Sequence, residues 1–249
     1  MKNKYLLIIF SIIFIITSFL AAYALANIDK FKDSDKDDLN DYDEKNIYYT
    51  DWNNPDTDND SYLDGLEVKK GYSPTQPKLK LAQVDTDKDD LNDDWEIALG
   101  TNLNNKDTDG DGYTDSAEVK NNYSPLSSDI TKIEKRIEVN LNEFRLYFYF
   151  GNKLIDSFPI SAGKPKTPTP KGEFKIIAKY PVKNYNIYHN TRWNMHFATI
   201  NGLRYYIHGA YWHNKFGLEN VAGGCVNLRY EDMERLYNFT TIGTKVIIN

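Results

Sequence analysis

Cysteine is nearly absent from this chain, which has Cys225 as its only thiol among 249 residues. An internal disulfide is therefore excluded, and a lipid-modified cysteine is not expected because none lies near the end of the first apolar segment. A lone thiol in an exported protein is a chemical liability unless it is buried or used. At this point a buried structural cysteine and a reactive nucleophile are the two alternatives.

Charge is missing from a run near the start of the chain, over residues 5–26. Lys2 and Lys4 precede the run, and Ala24-Leu25-Ala26 at its end is the small-x-small pattern that signal peptidases cut. The run also approaches the ~20 apolar residues that span a bilayer. We predict that residues 1–26 are a signal peptide or a transmembrane anchor, and that the rest is exported to the periplasm or the extracellular cell envelope.

Acidic and basic residues are unevenly distributed beyond that segment. Residues 27–132 hold 27 acidic and 12 basic side chains (net −15), residues 133–249 hold 9 and 16 (net +7), and two N-terminal lysines (+2) complete the total of −6. Two regions of opposite charge indicate two modules with different roles. We predict an acidic module over 27–132 and a basic module over 133–249.

The acidic module repeats one pattern four times. Each copy has the spacing of an EF-hand-type calcium loop, in which side chains at positions 1, 3 and 5 converge on one cation and Glu at position 12 returns to it. In the fourth copy Tyr113 at position 7 offers its carbonyl, and only this copy has glycine, Gly112, at position 6. The acidic residues at positions 1, 3, 5, 9 and 12 are Asp33, Asp35, Asp37, Asp41 and Glu44; Asp56, Asp58, Asp60, Asp64 and Glu67; Asp85, Asp87, Asp89, Asp93 and Glu96; and Asp107, Asp109, Asp111, Asp115 and Glu118.

The four copies form a duplicated pair, because the starts at residues 33 and 56 recur 52 and 51 residues later, at 85 and 107. Tyr-Ser-Pro segments, rather than long helices, follow the second and fourth loops. The array resembles bacterial thrombospondin type 3 repeats, and this resemblance implies an elongated region ordered by structural Ca²⁺. The alternative is a disordered acidic linker.

The basic module alternates apolar and polar residues, which predicts strands. Asn201-Gly202 is a two-residue hairpin signal, and residues 230–239 form the single helical stretch. The predicted strands cover 137–141, 146–150, 154–161, 174–177, 197–200, 203–207 and 245–248. We predict a mainly β fold with one short helix, preceded by the calcium-binding repeats and the N-terminal apolar segment.

One histidine and one cysteine in the basic module have the surroundings of a nucleophilic site. His208 closes the second hairpin strand, and Cys225 follows 17 residues later within Gly223-Gly224-Cys225-Val226-Asn227. A thiol needs a base to become a nucleophile near neutral pH, and imidazole is the usual one. Glycines beside a nucleophile allow a substrate to approach closely and leave N–H groups for an oxyanion.

Three blocks, in order, resemble the L,D-transpeptidase (YkuD) family over about residues 135–249. They are the Thr-Pro-Thr-Pro loop from Gly163 to Phe174, the segment Ile207 to Gly217 that contains His-Gly, and Gly224-Cys225-Val226-Asn227-Leu228. The resemblance implies a β-sandwich catalytic domain that acts on peptidoglycan stem peptides and uses no cofactor in catalysis.

The same resemblance implies roles for individual residues. Cys225 is expected to form a thioester with a stem tetrapeptide, with His208 as general base and the Gly209 carbonyl orienting its ring. The N–H groups of Gly224 and Cys225 are expected to form the oxyanion hole. The residues expected on the substrate side are Tyr206, Trp212, His213 and Asn227.

The chain departs from the family pattern just before the nucleophile. The family has Ser/Thr-His-Gly-Cys, whereas this sequence has Ala222-Gly223-Gly224-Cys225, and His213 is the candidate substitute for the missing histidine. Three functions stay open: a transpeptidase with an amine acceptor, an L,D-carboxypeptidase with water as acceptor, and a catalytically impaired, calcium-dependent wall-binding or adhesion protein. Nucleic acid is not an expected partner, and the membrane is expected only through an uncleaved residue 1–26 segment.

Overall fold

The computed structural model describes residues 29–249, so the predicted signal peptide or anchor over 1–26 lies outside the described residues. Among the residues that are described, no helix has the length and apolar character needed to cross a membrane. The chain forms two compact units, one running to Thr86 and including Asn92–Asp94, and one formed by Asp87–Leu91 and Trp95–Asn249. The domain ranges inferred from charge remain a prediction.

The first unit holds the first two acidic repeats and contains only short regular elements. These are a 3-10 turn at Asp29–Phe31, helix α1 at Asp41–Asp43, a π-helical turn at Glu44–Tyr48, helix α2 at Asp64–Lys70 and a 3-10 turn at Leu81–Gln83. Helices α1 and α2 begin at the position-9 aspartates of their loops, where a negative charge complements the positive end of the helix. Helix α2 stops at Gly71, whose φ of 77° is the left-handed conformation common after helices.

The second unit joins the fourth repeat and part of the third to a β domain. Helix α3 (Asp93–Leu99, with its first two residues counted in the first unit) and helix α4 (Asp115–Asn121) precede nine strands and helix α5 (Tyr230–Phe239). The strands are β1 Lys135–Asn140, β2 Arg145–Phe150, β3 Lys153–Pro159, β4 Gly172–Lys175, β5 Ala178–Lys183, β6 Thr191–Ile200, β7 Leu203–Gly209, β8 Val226–Leu228 and β9 Lys245–Ile248.

The nine strands form two sheets, in the orders β3-β2-β1-β9-β4 and β5-β6-β7-β8. Strand β1 runs parallel to β9, and β7 runs parallel to β8, whereas the other pairs are antiparallel. The mainly β character, with one helix in the β domain, is confirmed. Strands β5 and β8 lie outside the predicted strands, and the predicted Asn201-Gly202 turn joins β6 to β7 with φ of 50° and 79°.

One hydrophobic core lies between the two sheets and also takes in residues of the third and fourth repeats. It contains Ile137 and Phe148 from the first sheet, Met195 and Ile207 from the second, and Trp95 from α3, along with other buried residues of the repeats and of α5. Buried residues of the fourth repeat and of part of the third therefore share the core of the β unit.

Trp95 packs against two aromatic rings of this core. Its ring centroid lies 5.5 Å from that of Phe148 and 4.6 Å from that of Phe239. Its Nε1–H donates a hydrogen bond of 2.9 Å to Asp156, and the guanidinium of Arg235 pairs with the same carboxylate at 3.1 Å. A buried indole with its N–H satisfied contributes both apolar area and a fixed orientation.

Candidate active site and calcium loops

The parallel pairing of β7 with β8 builds the predicted site. In this register His208 lies opposite Asn227, and the loop that leads into β8 carries Cys225. His208, Cys225 and Asn227 line one cavity of about 960 Å³, together with Tyr206 and Trp212. The structure thus brings together most of the residues that the sequence blocks assigned to catalysis and substrate binding.

The His208 ring is held at both nitrogens. Nδ1 lies 2.9 Å from the carbonyl oxygen of Gly209, which can only accept, so Nδ1 carries the proton. Nε2 lies 3.1 Å from the side-chain nitrogen of Asn227. The oxygen of that amide lies 3.2 Å from Nε2 of His213, so His213 reaches the site through Asn227.

Cys225 and His208 are both neutral at pH 7. Burial raises the pKa of the Cys225 thiol to about 11, and the main-chain N–H of Tyr206 offsets only part of this rise. Burial lowers the pKa of His208 to about 4, against the opposing hydrogen bond to Gly209. A buried neutral imidazole with an unprotonated nitrogen is a general base, so the thiol is suited to losing its proton during attack rather than beforehand.

Two glycines are required by close packing around the site. A side chain at Gly209 would place its Cβ 2.4 Å from the ring of Tyr230. Gly224 has a φ of 118°, and a Cβ there would lie 2.8 Å from the ring of Tyr205. Gly223, where the family has histidine, has no atom within 4 Å of the Cβ position and is not left-handed, so local packing does not explain the missing histidine.

The Thr-Pro-Thr-Pro block supports the loop that carries Cys225. The N–H of Lys164 donates to the Ala222 carbonyl at 3.0 Å, and the N–H of Ala222 donates to Ala162 at 2.9 Å. Gly163 donates to the Thr169 hydroxyl at 2.9 Å, and a Cβ at Gly163 would lie 2.3 Å from the carbonyl oxygen of Thr167. The glycine and threonine of this block thus have a structural reason for their spacing.

An aromatic wall beside His208 was not among the predicted site residues. Tyr185 stacks on His208 with 5.1 Å between ring centroids, and its hydroxyl donates to Asn194 at 3.0 Å. Tyr188 stacks on Trp212 at 3.7 Å with the rings nearly parallel. The sequence signal for this wall is the density of aromatic residues between β5 and β6.

The charged side chains described in the lining of the cavity are all basic. Lys164, Lys183 and Arg204 line it, and among the described residues no aspartate or glutamate does. The ammonium of Lys183 lies 5.4–5.8 Å from the ring centroids of Tyr180, Tyr185 and Tyr206, a cation–π environment. Because His208 is neutral, these three side chains set the sign of the potential around Cys225.

In three of the acidic loops, the aspartate carboxylates lie close together. In the first, second and fourth copies, the aspartates at positions 1, 3 and 5 have ligand atoms within 4.8 Å of one another. The glutamates at position 12, Glu44, Glu67 and Glu118, are buried, and Oε2 of each has no hydrogen-bond partner. The third copy is divided between the two units, with Asp85 and Asp93 in the first and Asp87, Asp89 and Glu96 in the second.

The position-9 aspartates, which were predicted as ligands, accept hydrogen bonds within their own loops. Asp64 accepts hydrogen bonds from the N–H of Thr57 at 2.8 Å and from its hydroxyl at 2.6 Å. Asp115 accepts the equivalent pair from Thr108 at 2.9 and 2.6 Å. Asp41 and Asp93 do the same with the residue at position 2 of their loops. These carboxylates fasten the loop to the start of the following helix and are not brought into the position 1, 3 and 5 cluster.

Residues 134–248 match the family model YkuD, the L,D-transpeptidase catalytic domain. Over these residues the chain is therefore similar to an L,D-transpeptidase catalytic domain, and the match supports the family predicted from the three sequence blocks. The match does not include the acidic repeats, whose resemblance to thrombospondin type 3 repeats stays a prediction.

The chain is similar to several proteins and solved structures that carry L,D-transpeptidase names. It is 30% identical over 116 residues to a putative L,D-transpeptidase YkuD of Bacillus licheniformis, covering 47% of this chain and 66% of that protein. It is 36% identical over 106 residues to a probable L,D-transpeptidase 3 of Mycobacterium tuberculosis, covering 36% of this chain and 37% of that protein. An L,D-transpeptidase structure from Mycobacterium tuberculosis H37Rv aligns at 27% identity and a TM-score of 0.43, covering 51% of this chain and 63% of that chain. The chain thus spans less than two thirds of the length of these proteins.

Proposed function

We propose that this protein is an exported peptidoglycan L,D-transpeptidase that cross-links or remodels the cell wall. The observation that carries the proposal is the shared cavity of Cys225, the only thiol in the chain, and His208, whose ring is oriented by the Gly209 carbonyl. The family match over 134–248 supports the same reaction class.

The proposed reaction has two halves. Sγ of Cys225 attacks the carbonyl that precedes the terminal D-alanine of a stem tetrapeptide, and the thiol proton moves to Nε2 of His208. The C–N bond then breaks, D-alanine leaves with that proton, and a thioester remains. In the second half an amine of a neighbouring stem attacks the thioester, the C–S bond breaks, and Cys225 regains its proton through His208.

The charge of the cavity supports a carboxylate-bearing donor. Peptidoglycan stems carry free carboxylates, and Lys164, Lys183 and Arg204 line the cavity without an acidic neighbour among the described lining residues. Cations at the rim of a binding site attract anionic substrates and fix their orientation. The donor proposed for this site is therefore an anionic stem peptide.

The three open functions differ in their products. Purified full-length protein would be incubated with a disaccharide tetrapeptide, and the products analysed by mass spectrometry. The transpeptidase releases D-alanine and forms cross-linked dimers, whereas a carboxypeptidase releases D-alanine and leaves monomeric tripeptide. A catalytically impaired wall-binding protein does neither, and its intact mass stays unchanged after exposure to imipenem.

Neutralising Lys183 is expected to weaken recognition of anionic donors. For Lys183→Gln we expect kcat/KM for a donor with free carboxylates to fall about twofold to fivefold, the range of a partly exposed ion pair. For a donor whose side carboxylates are amidated the change should be smaller. Steady-state D-alanine release measures both, and Lys166→Gln, an exposed lysine outside the cavity lining, is the matched control. An equal loss with both donors would contradict the charge argument.

We further propose that the acidic loops bind structural Ca²⁺. The support is the repeated arrangement of three converging aspartates with a buried glutamate oxygen that lacks a partner. Burial, with the neighbouring aspartates, raises the pKa of Glu67 and Glu118 to about 7. Crowded carboxylates of this kind are the hard oxygen ligands that calcium prefers, and a bound cation would satisfy the unpaired oxygens.

The pH dependence of the calcium effect follows from these pKa values. A carboxyl whose pKa is higher in the fold than in the unfolded chain stabilises the calcium-free fold at low pH, and this contribution disappears as pH rises through about 7. We therefore expect added CaCl2 to raise the melting temperature strongly at pH 8 and little at pH 5.

The measurement is calorimetry of calcium-free protein with and without CaCl2 at both pH values. Glu118→Gln should reduce the number of calcium ions bound per chain by one, whereas Glu134→Gln, an exposed change outside the loops, should leave it unchanged. A calcium effect that is the same at pH 5 and pH 8 would count against carboxylate ligation.

A further inference from the structure

We propose that His213 and Asn227 form a hydrogen-bonded relay that fixes which nitrogen of His208 carries its proton. His213 is then a positioning residue, which acts on the base through Asn227 and does not touch the thiol. The inference deepens the proposed function, because it concerns the base of the same site. It also identifies His213 as the substitute for the histidine that the family has before its nucleophile.

The relay has only one self-consistent direction, because both of its ends are main-chain groups. At one end the N–H of Lys215, which can only donate, lies 3.2 Å from Nδ1 of His213. Neutral His213 therefore carries its proton on Nε2 and donates it to Oδ1 of Asn227 at 3.2 Å. The amide nitrogen of Asn227 then donates to Nε2 of His208 at 3.1 Å.

The other end gives the same answer independently. The Gly209 carbonyl can only accept, so the proton of His208 lies on Nδ1, 2.9 Å away. The two ends thus demand the same orientation of the Asn227 amide and opposite tautomers of the two histidines. The lone pair of His208 is then on Nε2, where it accepts the Asn227 amide N–H, so this hydrogen bond has to be released before Nε2 takes the thiol proton.

The members of the relay are held in place by neighbouring contacts. Asn227 is 1% exposed, and its main chain exchanges hydrogen bonds of 2.8 and 3.0 Å with Ser161. The ring of His213 packs on Phe216 at 4.6 Å between centroids. The loop of His213 is further tied by the ion pair of Lys215 with Glu219 at 2.8 Å. A side-chain network with anchored ends is able to impose one tautomer.

Protonation of His208 conflicts with an intact relay. The imidazolium would present an N–H at Nε2 to the N–H of the Asn227 amide, and reversing the amide would set its nitrogen against Nε2–H of His213. The relay therefore disfavours imidazolium, in the same direction as burial, which lowers the pKa of His208. A proton taken from Cys225 is held only briefly before it passes to the leaving amine, and the relay itself gains and loses no proton.

The direct test is nitrogen NMR of the full-length protein, which has only four histidines. We expect His208 as the Nδ1–H tautomer and His213 as the Nε2–H tautomer. His213→Ala should raise the pKa of His208 by about one unit or more toward the ordinary value of ~6.5. His213→Gln keeps an N–H donor at the same reach and should restore the wild-type value.

Two further variants complete the design. Asn227→Asp should raise the pKa of His208, because a carboxylate accepts from the imidazolium that the amide opposes. His189→Ala removes an exposed imidazole outside the cavity lining and should change nothing. Finding His213 as the Nδ1–H tautomer, or an unchanged pKa of His208 in His213→Ala, would overturn the relay.

A kinetic test separates positioning from packing. For His213→Ala we expect the acidic side of the pH–rate profile for imipenem acylation to shift to higher pH by about the same one unit. A residue needed only for packing would lower the rate at all pH values without shifting the profile, and this result would also overturn the proposal. Since the NMR test needs no turnover, absence of acylation together with the expected tautomers would refute the proposed function and leave the relay standing.

Discussion

Cys225→Ala is expected to abolish turnover completely, because Cys225 is the only thiol in the chain and lines the cavity that holds the oriented imidazole. His208→Ala is expected to lower the rate about 10²- to 10⁴-fold, the usual contribution of a general base. The thiol, whose pKa burial raises to about 11, is almost entirely protonated at pH 7, and without His208 it lacks the base that takes its proton during attack. Release of D-alanine from a tetrapeptide donor measures both effects.

Intact-protein mass spectrometry provides the control for this prediction. Wild-type protein should gain the mass of one imipenem, His208→Ala should gain it slowly, and Cys225→Ala should not gain it. Melting temperatures within a few degrees of wild type would show that each variant is folded. D-alanine release retained by folded Cys225→Ala would remove the thioester mechanism altogether.

The contact between His208 and Gly209 can be anticipated from the sequence because it is local. His208 and Gly209 are adjacent, and the ring-to-carbonyl hydrogen bond at 2.9 Å needs no long-range information. The encounter of His208 with Asn227 depends on the parallel pairing of β7 with β8. Strand β8 has only three residues, which is too short for alternation to reveal it.

The aromatic and cationic residues around His208 could not be predicted from the sequence. Lys183 and Tyr185 are separated from His208 by more than twenty residues, and they reach it because β5 pairs with β6 and β6 with β7. A lysine in a charged, polar stretch carries no local sign of facing a cavity. The relay through His213 is similar, since its direction depends on hydrogen bonds that spacing alone does not specify.

Buried apolar residues of the acidic repeats are hard to recognise from composition. Leu91, Trp95, Leu99 and Val119 lie in the segment whose net charge is acidic, and they belong to the core of the β unit. Apolar residues are sparse in the acidic segment, and its net charge gives no indication that a few of them are buried. Charge patterning reports on the surface, whereas the folding unit is defined by buried contacts.

Trp95→Ala is therefore expected to destabilise the catalytic domain, although Trp95 lies about forty residues before the family match begins. The substitution removes a fully buried indole packed between Phe148 and Phe239 and leaves Asp156 without that donor. Large-to-small changes of this type cost about 3–5 kcal/mol. For a unit of this size the melting temperature should fall by about 6–20 °C.

Trp52→Ala is the matched control for this change. Trp52 lies in the first unit, where it is half-buried and faces the ammonium of Lys45 at 3.8 Å. The measurement is the temperature at which imipenem acylation is lost, which reports the catalytic domain alone. That temperature should fall in Trp95→Ala and stay unchanged in Trp52→Ala.

A chain shortened to residues 133–249 should behave like Trp95→Ala or worse, because it lacks all four repeat residues that complete the core. An unchanged acylation temperature in Trp95→Ala, or a stable shortened chain, would mean that the β domain folds independently and that the repeats only rest against it. Loss of stability in both, with Trp52→Ala unaffected, would instead make the last two repeats a structural part of the enzyme. Calcium bound at the fourth loop would then stabilise the catalytic domain through α4, whose Val119 is 2% exposed in that shared core.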